Sequence, residues 1–141
     1  MNQTTKTIAT RVSGAARSAF LPKYFGSRYL LGEATLYNWA NQLARDYNGG
    51  HWEFYEISNG GFFVVPPESS EKLVLSVSGN GFCDALTLEA AGIVITLFAL
   101  GELIERIHGI ELCDQLIERH DALLDFAHFH AESALIFAAI D

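Results

Sequence analysis

The sequence predicts an α+β fold: a single compact domain in which a small three- to four-stranded antiparallel sheet packs with about four to five helices. Three observations predict it. Leu36, Trp39, Ala40, Leu43 and Tyr47 recur at i, i+3, i+4, i+7 and i+11, the spacing of an amphipathic helix. Trp52–Ile57 and Phe62–Val65, both rich in strand-forming residues, flank Asn59-Gly60-Gly61, a tight hairpin turn. Ala90–Leu100 is apolar nearly all round, as expected of a helix at the centre of a core.

Residues 1–12 read as a loose N-terminal segment, with the domain spanning 13–141. Ser13 is placed to cap a short helix through about Phe20, which should stop before Pro22 because the residue before proline is pushed out of helical geometry. The next helix starts near Glu33, and Asn48-Gly49 supplies a left-handed terminus. After the hairpin, Pro66-Pro67 ends the second strand, Leu73–Val77 forms a third, and Phe82–Leu86 a possible fourth after the Gly79-Asn80-Gly81 turn. Short connections between these strands predict one meander. Thr87 is the natural cap of the apolar helix, with Glu89 in its first turn, and His108-Gly109 ends it. A last helical region runs from about Glu111 towards the C-terminus.

Composition narrows the function classes. The chain has 141 residues, half of them apolar and 18% charged, which is the balance of a globular protein. Its net charge of -8 is uneven, since residues 82–141 carry eleven acids against Arg106 and Arg119 alone. Direct nucleic-acid binding is not expected from so few cations, whereas an acidic half suits basic protein partners. Cys83 and Cys113 are too few for a disulfide framework or a zinc site and suit a reducing compartment. The N-terminus lacks a signal-peptide core, and Ala90–Leu100 is too short to span a bilayer, so a cytoplasmic location is expected with no membrane partner.

No nucleophile elbow, phosphate loop or dinucleotide fingerprint is present, so no catalytic residue and no cofactor is assigned. A thiol site from Cys83, Asp84 and the distant His51 has no feature that would bring the three together. Glu105-x-x-His108 and Asp125-x-x-His128 each set a carboxylate and an imidazole one helical turn apart, which leaves a small metal-dependent hydrolase as the alternative reading. The sharpest pattern lies on the last helix. At 100° per residue, Glu111, Asp114, Glu118, Asp121, Asp125 and Glu132 fall within an arc of about 80°. Such a row is either a solvated face or a partner surface; its repeat of roughly 5 Å matches the ~3.4 Å phosphate repeat of DNA only loosely. Trp52 and Tyr55 on the hairpin strand are core or partner patch, and Ser58 and Asn59 at the tip are turn or site.

The run Tyr47-x-Gly49-Gly50-x-Trp52-x-Phe54-Tyr55-x-x-Ser58-Asn59-Gly60-Gly61-x-Phe63-x-x-Pro66 resembles the ArdB/KlcA family of antirestriction proteins. So do Phe20-x-Pro22-x-x-Phe25-Gly26 before it, and Glu89-Ala90-Ala91-Gly92-Ile93 and Ile140-Asp141 after it. Thr87-Leu88 departs from the Ser-Pro common in relatives, a change that keeps a capping residue. The resemblance implies a small protein of plasmids and other mobile elements that shields incoming DNA from type I restriction-modification enzymes without being an enzyme itself. The implied partner is the restriction enzyme or an accessory host protein. Under that reading the partner-binding candidates are Trp52, Tyr55, Ser58 and Asn59 at the hairpin, Asp114, Glu118, Asp121 and Asp125 on the acidic row, and the terminal Asp141.

Overall fold

A computed structural model describes residues 7–45, 47, 49–67, 71–107 and 109–141. In chain order the elements are β1 (Ala9–Arg11), α1 (Ala16–Phe25), a 3-10 turn (Gly26–Arg28), α2 (Tyr29–Leu43), β2 (Glu53–Ile57), β3 (Phe62–Val65), β4 (Lys72–Val77), β5 (Phe82–Thr87), α3 (Leu88–Arg106), α4 (Glu111–His128) and α5 (Ser133–Ile140). The α+β class holds, but the strands divide into an antiparallel β1-β2-β3 sheet and a separate β4-β5 hairpin. α3 is the hub, packed against α2, α4, α5 and β3. It contributes an unbroken run of buried residues from Ala90 to Leu97, then Ala99, Leu100 and Leu103, with Phe98 only partly buried, as its nearly all-round apolar sequence predicts.

The division of the sheet has a local cause. β3 could have accepted β4 as its next neighbour, but α3 occupies its open edge. The Val64 N–H donates to the Thr96 hydroxyl at 3.1 Å, and that hydroxyl donates to the Gly92 carbonyl at 2.7 Å. The Val64 carbonyl lies directly over Gly92, where a Cβ would sit 2.1 Å from the oxygen. Only glycine permits that approach. With both edge groups of Val64 facing a helix, continued strand pairing is blocked.

Three other boundaries differ from the sequence reading. The N-terminal segment is ordered from β1 onward: Thr10 pairs with Glu56, and Val12 is buried and donates its N–H to the Phe54 carbonyl at 2.8 Å. α1 is not capped by Ser13 and runs through Pro22 to Phe25. The reason is tertiary: Phe20, Tyr24 and Phe25 all surround the Phe62 ring, at centroid distances of 5.6, 4.3 and 5.7 Å. Burying three such rings at roughly 2 kcal/mol each outweighs the ~3 kcal/mol of an internal proline. α2 begins a turn earlier than Glu33 and ends at Leu43, because Ala44 turns extended and bridges Leu75 of β4. Asn48, expected at that terminus, lies outside the described residues.

The last helical region is two helices, and Glu132 shows why. His130 Nδ1 accepts the Glu132 N–H at 3.0 Å while its Nε2 meets Glu89 Oε2 at 2.8 Å, which folds the chain back towards the start of α3. The Glu132 carboxylate then accepts the Thr87 N–H at 3.1 Å and the Thr87 hydroxyl proton. Thr87 in turn caps Ala90 N. A capping box ordinarily takes its carboxylate from the third residue of the same helix; here that residue is Ala90, and the turn residue just before α5 supplies the group.

Candidate functional site

The two sets of candidate residues occupy different environments. Trp52 is 3% exposed, walled by Tyr37 and Tyr47, and its indole N–H donates to the Tyr47 hydroxyl at 3.0 Å. It is a core residue rather than an exposed partner contact, because a large aromatic with a satisfied N–H gains most from burial. Tyr55 is half-buried, stacked on its cross-strand partner Phe63 at 5.1 Å. Ser58 and Asn59 are exposed but occupied. Ser58 Oγ accepts the Ile8 N–H at 2.9 Å, fastening the first strand to the hairpin. Asn59 donates to the Ala122 carbonyl at 2.8 Å and accepts the Gly61 N–H at 3.0 Å. The turn is therefore clipped to the middle of α4.

Arg119 completes the clip and carries no obvious signal in the sequence. Its guanidinium donates to the Gly60 carbonyl at 2.7 Å and lies 5.0 Å above the Tyr24 ring. The Tyr24 hydroxyl donates to Glu56 Oε2 at 2.7 Å, and Lys23 pairs with the same oxygen at 2.6 Å. Lys23 and Tyr24, by their hydrogen bonds, hold the Glu56 carboxyl below the usual carboxylate range. Burial, then the bond to Glu56, pushes the Tyr24 hydroxyl well above its ordinary value. These groups join α1, β2 and α4, and all serve the fold.

The outer face of α4 is different. Asp114, Glu118, Asp121 and Asp125 are all exposed and in one row, with Glu111 at the head of the helix. Glu132, placed on the same row by periodicity, instead turns inward to Thr87. The ion pairs of Arg17, Lys23 and Arg106 lie elsewhere, and the His120 ring lies beside the row, its Nδ1 3.8 Å from Asp121. Exposed Ile110, Ile117 and Phe129 border the row, the last 89% exposed. Asp141 is exposed beyond the end of α5.

The metal pairs do not converge among the described residues, where no group of three or more His, Cys, Asp and Glu could hold an ion. Asp125 belongs to the acidic row and His128 stacks on Phe137 at 4.4 Å, while Glu105 is exposed and His108 lies outside the described residues. Cys83 is exposed and bonded to Ser76 Oγ at 3.4 Å. Among the described residues no helix is long and apolar enough to cross a membrane.

A family model described as antirestriction protein matches residues 45–141. The chain belongs to the antirestriction protein family. Two Escherichia coli proteins named antirestriction protein KlcA are similar to it. One is 48% identical over 137 residues, covering 95% of this chain and 93% of the relative, and the other 47% identical over 134 residues, covering 94% of each. A solved structure matches over the full length of both chains with a TM-score of 0.87 and 44% identity. It comes from work on the KlcA and ArdB proteins, which show a novel fold and antirestriction activity against type I DNA restriction systems in vivo but not in vitro. The antirestriction chain thus shares its whole architecture with that fold.

Proposed function

We propose that this antirestriction protein protects incoming DNA from type I restriction-modification enzymes in the cytoplasm by recognising a protein, without catalysing a reaction and without binding DNA itself. Family membership supports the activity, and the outer face of α4 supports the mode. Four carboxylates there are left without a Lys or Arg partner among the described residues, beside exposed apolar side chains. An acidic surface with apolar neighbours suits a basic protein patch, which supplies the missing counter-charges and covers Ile117 and Phe129. The partner is the restriction enzyme or an accessory host protein; activity of the KlcA and ArdB proteins in vivo but not in vitro favours a component supplied by the cell. Asp114, Glu118, Asp121 and Asp125 are the primary contacts of this reading, with Tyr55 and Asp141 secondary.

The test is the plating efficiency of unmodified phage on cells carrying a type I system. The native chain should raise it. The fourfold variant Asp114→Asn, Glu118→Gln, Asp121→Asn, Asp125→Asn should lose that effect while melting within a few degrees of the native chain, since exposed charges change stability by only about 0.5 kcal/mol each. Full protection by the variant would exclude the row as the contact surface.

A further inference from the structure

A groove of about 520 Å³ opens beside the acidic row, within the ~300–1,000 Å³ range of ligand-sized clefts. Its floor is the C-terminal half of α3, with Phe98, Gly101, Glu102 and Glu105; Trp39 of α2 and His120 of α4 form its sides. Trp39 stacks on Phe98 with centroids 4.8 Å apart, and its indole N–H donates to Glu102 Oε1 at 2.9 Å. The second Glu102 oxygen takes Arg106 at 3.1 Å. Glu105, one turn further on, makes no hydrogen bond or ion pair among the described residues.

Gly101 is the feature the fold does not explain. A glycine inside a helix is unfavourable relative to alanine, and it persists where something approaches its backbone. Gly92 on the same helix meets that condition through Val64, and Gly32 on α2 through the Phe25 ring, 2.6 Å from where its Cβ would lie. A Cβ on Gly101 would meet nothing within 4 Å; it would project into the groove.

We propose that this groove receives an arginine side chain of the protein partner. It rests on the recognition reading above and names the chemistry of one contact. A planar guanidinium fits against the exposed portions of the stacked Trp39–Phe98 pair through cation–π contact, passes over Gly101, and pairs in bidentate fashion with Glu105. Glu102, already paired with Arg106, holds the Trp39 ring in place and leaves Glu105 as the groove carboxylate open to a guanidinium. On the α4 helical wheel His120 and Leu124 at the groove lead through Ile117 to the acidic row, so groove and row form one continuous surface for one basic partner.

Two measurements test it. In the phage assay, protection by the native chain first establishes the activity, and its loss in the fourfold α4 variant supports the recognition reading; failure of either defeats that reading, not the groove in particular. Given protection, Gly101→Leu, which narrows the groove at its floor, and Glu105→Gln, which keeps its shape, should each lower protection by roughly tenfold or more. The Gly101→Leu protein should melt no lower than the native chain, and Glu105→Gln carries the test should the leucine variant fail to fold. Undiminished protection by a folded variant overturns the proposal. Separately, the peptide acetyl-Gly-Arg-Gly-amide, titrated into 15N-labelled protein, should shift the Trp39 indole resonance and leave buried Trp52 unmoved, whereas the citrulline peptide should shift neither. Equal shifts with both peptides, or none with the arginine peptide, overturn the arginine assignment.

Discussion

The two halves of α3 carry glycines for opposite reasons. In the first half every polar feature is answered from within the chain: Thr87 is held by Glu132, Thr96 satisfies Val64 N, and Gly92 exists because Val64 O lies against it. In the second half Gly101 faces open space, Glu105 is without a partner among the described residues, and a groove lies above. The same helix is thus a structural keel at one end and a surface kept clear at the other. α4 repeats the division across its width, with one face clipped to the hairpin by Asn59 and Arg119 and the other bearing unpaired acids. Saturation marks the scaffold, and unmet bonding capacity marks the surface we propose for the partner.

The comparison breaks most readily at Gly92. Gly92→Ala places a methyl group 2.1 Å from a backbone oxygen that can retreat only by moving β3. We expect a loss of about 3 kcal/mol or more, enough to unfold much of the population in a marginally stable domain. Urea denaturation checks it, and a loss below about 1 kcal/mol would show the contact to be adjustable.

The Glu56 cluster sharpens the scaffold side through pH. Its carboxyl is depressed in the fold, so its contribution is present above the ordinary carboxylate pKa and disappears as pH falls through the lower folded value. Tyr24 acts at the other end. Its hydroxyl is raised, so stability is complete below the ordinary tyrosine pKa and declines above it, where the unfolded chain ionises first. Glu56→Gln should cost about 1 kcal/mol at neutral pH, a modest figure because Lys23 and Glu56 are partly exposed. It should also flatten the acid limb of a melting-temperature profile; an unchanged limb would assign acid sensitivity to other carboxylates.

The smallest effect has the opposite sign. Gly101→Ala should stabilise the chain by about 0.5–1 kcal/mol, since alanine restricts the unfolded backbone and meets no steric obstacle in the helix. Thermal denaturation reads it directly, and destabilisation would mean that the fold itself needs this glycine.

Much of the architecture was legible because it rests on local chemistry. The hairpin turn, the Thr87 cap and the all-apolar α3 each follow from residues close in sequence. Pro22 misled because its local penalty was set against burial of three rings on Phe62, which sits far along the chain. Periodicity joined Glu132 to the acidic row because nothing nearby shows that His130 ends the helix by bonding a backbone N–H. Of the candidate surface, the exposed α4 row was readable from helical spacing alone. The groove was not: Trp39, Phe98 and Glu105 lie on helices whose relative placement no spacing encodes.

By itself the sequence determined the α+β class, most elements, the acidity of the C-terminal half and, through separated motifs, the family. The class, the elements and the acidity depend on residues a few positions apart or on summed composition, for which backbone geometry and charge suffice; the family came from the resemblance of motifs spread from Phe20 to Asp141. Tertiary structure alone decided that the strands divide into two sheets, that the hairpin tip is an anchor and Trp52 core, and which acids remain unpaired. Those outcomes depend on groups such as Val64 and Gly92, or Asn59 and Ala122, meeting across long stretches of chain. Which distant group reaches an open edge or carbonyl first is settled only when the whole core has packed.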